Sequence, residues 1–78
     1  LEVRSGRYRS AAQQYAALLP LNPDKAVWWL GLAIALDQSR QKPAARKAYR
    51  AALEHPGLSP AAQAYARRRL KALQGGKE

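Results

Sequence analysis

Few residues in this chain could carry reaction chemistry. There is one histidine, His55, five acids (Glu2, Asp24, Asp37, Glu54 and Glu78) and no cysteine. General acid–base catalysis and metal binding both need several such groups brought together. No two of the acids stand three or four residues apart, so none share a helical face. His55 precedes Pro56 at the close of a helical pattern, where an imidazole complements the terminal carbonyls. Without cysteine there are no disulfides and no thiolate zinc sites. Gly75-Gly76 has no strand before it and no helix after it, so it reads as a tail and not as a phosphate loop. The expectation is a protein that is not an enzyme and that uses neither metal nor cofactor.

The chemistry that is present is positive charge. Fourteen lysines and arginines give a formal charge of +9, and the isoelectric point is near 10.7. Such a balance favours anionic partners, whether acidic protein surfaces, nucleic acid or lipid headgroups. The cations gather in two clusters, Arg46, Lys47 and Arg50, then Arg67, Arg68, Arg69 and Lys71. The one aromatic within them, Tyr49, belongs to the inward stripe, so no base-stacking aromatics interleave with either cluster, which disfavours nucleic acid. An anion-binding element facing nucleic acid or a membrane surface is the alternative reading to the one reached below.

The elements that would position these side chains are helical throughout. Ala26 to Leu36, AVWWLGLAIAL, is uncharged and almost wholly apolar. A bilayer span needs roughly 20 such residues, so this run is expected to be a buried helix clamped between neighbours. Within it Trp29, Leu32, Ala33 and Leu36 form one stripe, and Trp29 is expected to be the central core residue. Upstream, Leu1 to Arg4 with Ser5-Gly6 reads as a helix end capped by glycine. A new helix is expected from Arg7 to Leu19, with Tyr8, Ala11, Ala12 and Tyr15 inward and Pro20 as its stop. In Leu21-Asn22-Pro23-Asp24, Asn22 is expected to cap the apolar helix. Pro43 opens a further helix to about Glu54, with Ala45, Ala48, Tyr49, Ala52 and Leu53 inward and the basic residues outward. His55-Pro56-Gly57 stops it, and Ser59 and Pro60 start a last one, Ala61 to Leu73, with Tyr65, Ala66, Leu70 and Leu73 inward. No segment alternates with a period of two.

An offset of 34 residues superimposes Ala11 on Ala45, Tyr15 on Tyr49, Leu19 on Leu53 and Pro23 on Gly57. From Ala26 a complete unit reads Trp29, Leu32, Ala33, Leu36, then Ala45, Tyr49, Ala52, then Pro56. This pattern resembles the tetratricopeptide repeat family. The resemblance implies an all-α helix–turn–helix solenoid of about four antiparallel helices. A partial repeat would occupy residues 1–25, a full repeat 26–59 and a capping helix 60–73, with 74–78 a flexible tail. Ala33 stands where the family has glycine, Leu18 where it has alanine, and Arg40 replaces the glycine between the helices, which implies strain in that turn. The run WWLGLAIALDQ, the later Ala48-Tyr49-Arg50-Ala51-Ala52-Leu53 and the terminal Arg69-Leu70-Lys71-Ala72-Leu73 also resemble the C-terminal repeats of bacterial pilus-biogenesis proteins of the mannose-sensitive haemagglutinin type. That likeness would imply an inner-membrane-anchored or periplasmic setting.

The repeat family lines a concave groove with the first helix of each unit. Carried onto this chain, the groove would hold Val27, Leu30, Ile34, Asp37 and Gln38, and from the last helix Ala61, Ala64, Arg68 and Lys71. Leu30 and Ile34 stand where some relatives place a lysine and asparagine clamp for a peptide carboxylate, so that mode of binding is not implied. The implied function is a protein-interaction scaffold whose partner carries apolar anchors and an acidic flank. A helix preceding Leu1 is expected to cover Tyr8, Ala12 and Tyr15 in a longer parent protein. Without it the face is expected to favour a homodimer, and any membrane contact would come through parts of the parent outside this chain.

Overall fold

The computed structural model describes residues 2–75, with side chains described for 7–74. Among the described residues the chain is all-α, with four helices, α1 (Glu2–Leu18), α2 (Ala26–Gln38), α3 (Lys42–Glu54) and α4 (Pro60–Gly75). Each helix packs on the next, α2 between α1 and α3, and α3 between α2 and α4. The uncharged stretch is therefore covered from two sides, as its composition requires. No helix among the described residues is long and apolar enough to cross a membrane.

Three local expectations are corrected. α1 runs without interruption through Ser5 and Gly6. An isolated helical glycine costs about 1 kcal/mol relative to alanine, too little by itself to end a helix when no proline accompanies it. At the far end the α-helix stops at Leu18, and Leu19–Leu21 continue as one 3-10 turn with Pro20 inside. Proline lacks the N–H of the α-helical bond, and the tighter turn carries the chain past it. Asn22 does not cap α2. Lys25 holds that position without a side-chain cap, and the Lys25 N–H bonds to the Asn22 carbonyl at 3.1 Å. Asn22-Pro23-Asp24-Lys25 is thus a β-turn with asparagine first and proline second, the positions these residues favour.

The remaining turns follow local chemistry. Between α2 and α3, the Gln41 N–H donates to Leu36 O at 2.9 Å and the Arg40 N–H to Asp37 O at 3.1 Å. This is the paired bonding of a Schellman cap, whose left-handed residue is ordinarily glycine. Here Arg40 fills it at φ 66°, the strain implied by its place in the sequence. A side chain there costs roughly 1–2 kcal/mol, part of which glycine would return to chain entropy. Arg40→Gly is therefore expected to stabilise the fold by about 1 kcal/mol in urea titration followed by circular dichroism. Unchanged or lower stability would contradict this account of the turn. After α3, Gly57 takes φ 122°. Ser59 caps α4, its Oγ accepting the Ala62 N–H at 3.2 Å, with Pro60 as the first helical residue.

The core is built largely from alanine. Ala33, Ala45, Ala48, Tyr49, Ala66 and Leu73 form the main buried cluster, and Ala26, Ala52 and Leu58 a second. Small side chains let helix axes approach closely, so the bulkier residues pack around this seam. Tyr49 is the largest fully buried side chain, at 0% exposure. Trp29, expected at the centre, is half-buried and instead touches both clusters. Its Nε1 donates to the Pro23 carbonyl at 2.8 Å, and its ring stacks on His55 with centroids 6.3 Å apart. An indole must place its N–H on an acceptor, and the turn carbonyl draws that edge to the surface.

α1 meets α2 through a different device. Tyr15 lies over Gly31, where an added Cβ would stand 2.7 Å from Cε1 and 2.8 Å from Cε2 of the ring. Gly31 thus lets an aromatic face reach the α2 backbone. Of the residues expected to be bare on α1, Ala12 is 6% exposed, and Tyr8 and Tyr15 are half-buried.

Candidate partner-binding surface

One part-buried polar cluster links α2 to α4 beside the apolar core. Arg69 donates from Nε to Asp37 Oδ2 at 2.7 Å and from Nη2 to Oδ1 at 2.9 Å. The Tyr49 hydroxyl donates to the same Oδ2 at 3.0 Å, and Tyr65 sits edge-on to Tyr49 with centroids 6.3 Å apart. The bidentate fork supplies direction as well as charge. The Asp37 side chain is only 7% exposed, and both oxygens are occupied within the fold. Burial pushes the Tyr49 hydroxyl well above the ordinary tyrosine range, and the neighbouring Tyr65 and Asp37 add to the shift. The hydrogen bond to Asp37 raises Arg69 as well.

This cluster changes the role of two residues. Asp37, expected to line a groove, is turned inward and ties α2 to α3 and α4. Arg69, one of the basic run on the last helix, is half-buried whereas Arg67, Arg68 and Lys71 are exposed. Its position could have been read, because Ala66, Arg69 and Leu73 fall at i, i+3 and i+7 on the apolar stripe of α4. The partner on α2 could not, since 32 residues separate Asp37 from Arg69.

Removing one member of this pair at a time is expected to be asymmetric. Arg69→Ala leaves a carboxylate in a nearly closed site and should cost about 2 kcal/mol. Asp37→Ala leaves a guanidinium that can turn to water and should cost about 1 kcal/mol. The double variant should fall short of the sum, as urea titrations of all four proteins would test. Additive losses would mean that the two side chains do not act together.

The other expected site residues divide by depth. On α2, Val27 is 50% exposed and Gln38 is exposed, whereas Leu30 and Ile34 are half-buried against the core. On α4, Ala61, Ala64, Arg68 and Lys71 are all exposed. Lys25 places its Nζ 5.4 Å from the centroid of the Trp28 ring, a cation–π contact beside Val27. Leu21 is exposed at 77% on the preceding turn.

Two concavities lie elsewhere. A cleft of about 600 Å³ between α1 and the α2–α3 turn is lined by Arg9, Ala12, Gln13, Ala16, Leu36 and Gln41. A smaller one, about 310 Å³, lies between α3 and the end of α4, lined by Pro43, Arg46, Lys47, Arg50 and Gln74. Among the described residues no three of histidine, cysteine, aspartate and glutamate gather as metal ligands would. His55 Nδ1 lies 3.9 Å from Asp24 Oδ1, with the Trp29 ring on one face of the imidazole.

Against models of known protein families, curated proteins and solved structures, the chain finds no match.

Proposed function

We propose that this chain is a protein-interaction module of tetratricopeptide type, in which α2 and α4 receive an extended or helical segment carrying apolar anchors and an acidic flank. The observation that carries the reading is the surface composition of these helices. Val27, Leu30 and Ile34 fall at i, i+3 and i+7 on α2, with Val27 half open to solvent, and Arg68 and Lys71 stand exposed on α4. Apolar side chains give a partner something to desolvate, and the cations select an acidic neighbour and speed its approach. The Asp37–Arg69 fork supports the same reading, because it holds α4 to α2 without consuming Arg68 or Lys71. The module needs no cofactor and performs no reaction. Its setting would be the assembly of a larger complex such as a pilus or secretion machine, in keeping with the resemblance of the sequence to repeats of pilus-biogenesis proteins.

Selection from a random peptide display library tests this directly. Enriched peptides are expected to combine apolar anchors with acidic residues, and to shift the amide resonances of Val27, Leu30, Ile34, Arg68 and Lys71. Arg68→Glu with Lys71→Glu should then weaken binding by on the order of 10-fold at low salt, mainly through slower association. Arg7→Glu with Lys42→Glu makes the same change in net charge away from the groove and should leave affinity within about twofold. Equal weakening by both pairs, or enriched peptides that shift only other residues, would overturn the proposal.

A further inference from the structure

The basic cleft between α3 and α4 plays no part in that groove. Its lining consists of Arg46, Lys47 and Arg50 on α3, with Pro43 at one end and Gln74 from α4 on the opposite wall. Among the described residues the only ion pairs are His55–Asp24 and Arg69–Asp37, so none of the three cations has an acidic partner there. Arg46 is half-buried in this state. Arg46 and Arg50 stand one helical turn apart, the spacing at which like charges destabilise a helix. Glu54, one turn further on, makes no ion pair with Arg50. A partly desolvated guanidinium beside two more cations is an arrangement that an anion would relieve.

We propose that this cleft is a binding site for a soluble ligand carrying adjacent phosphate groups. Three features select that chemistry. The two arginines lie about 6 Å apart along the helix axis, so each can present its planar fork to a separate anionic group of one compact ligand. The cavity, about 310 Å³, is at the small end of ligand sites, and three cations within it call for dense negative charge. No aromatic or large apolar side chain lines it, so it offers neither stacking for a base nor a pocket for a hydrophobic anchor. A membrane surface fits poorly for the same reason. The cleft is concave, and the exposed large hydrophobics Leu21 and Val27 are not among its lining residues, leaving nothing beside it to enter a bilayer. Gln74 adds an amide able to donate to a phosphate oxygen.

The test is calorimetric titration of the intact chain with inorganic tripolyphosphate, with citrate and anionic phospholipid vesicles as parallel arms. Saturable binding of tripolyphosphate is expected, with shifts at the Arg46, Lys47, Arg50 and Gln74 amides and weaker binding as salt rises. Arg46→Gln with Arg50→Gln should weaken it by on the order of 10-fold or more. Arg7→Gln with Arg67→Gln removes the same charge elsewhere and should change it by less than about twofold. If the Arg46, Arg50 pair alters the melting curve, the exposed Arg50→Gln alone should still weaken binding by roughly threefold. Equal losses from the cleft and control pairs, citrate binding as tightly as tripolyphosphate, vesicle binding without tripolyphosphate binding, or no saturable binding would each overturn the proposal. None of these readouts involves the α2–α4 groove, so either proposal can fail alone.

Discussion

Tyr49→Ala is expected to abolish cooperative unfolding or lower the melting temperature by about 15–30 °C. Deleting a fully buried aromatic ring costs about 3–5 kcal/mol, and in a domain of this size each kcal/mol moves the midpoint by roughly 4–8 °C. A chain of 78 residues holds only about 4–12 kcal/mol in total at typical values per residue. The loss is concentrated here because the ring fills the main cluster among Ala33, Ala45, Ala48 and Ala66, none of which can expand into the space. The Tyr49 hydroxyl also donates to Asp37, so the variant takes one donor from a nearly closed carboxylate. Tyr49→Phe separates the contributions. It keeps the ring and should cost only about 1–2 kcal/mol for the hydrogen bond. Thermal melts by circular dichroism would decide, and a Tyr49→Ala protein melting within a few degrees of the parent would mean that the core lies elsewhere.

Trp29→Ala is expected to cost about 3 kcal/mol, less than the loss at Tyr49 although the side chain is larger. Part of the indole is already in water, and that part gains nothing from folding. What the variant removes is a bridge. Trp29 packs against both buried clusters, bonds the Pro23 carbonyl of the turn before α2 and stacks on His55 at the end of α3. The turn and the α3 terminus should therefore loosen together, and amide exchange near Lys25 and His55 should quicken more than the global stability change requires. Trp29→Phe retains most of the packing and should cost about 1 kcal/mol, for the lost N–H bond. If Trp29→Ala proved more damaging than Tyr49→Ala in urea titration, the indole would be the true centre of the core.

The contrast between these two residues marks how far the chain can be read without its fold. Periodicity placed Tyr49 and Trp29 on inward stripes, and proline, glycine and serine marked where helices begin and end. Those signals are local. The Ser59 cap, the turn strained at Arg40 and the stop at Gly57 each depend on groups within about one helical turn, and such groups are neighbours in the sequence itself. Gly6 shows the limit even there, because one glycine ends a helix only if the following chain leaves it. Which inward residue is sealed and which reaches the surface depended on helices meeting across the seam. The Trp29 edge was decided by the Pro23 carbonyl, and the Tyr15 ring by the open backbone at Gly31. The pairing of Asp37 with Arg69 and the meeting of Gln74 with the α3 cations were likewise tertiary outcomes. Spacing orders side chains on one helix, whereas the distance and rotation between helices, set by the alanine seam, choose partners across tens of residues.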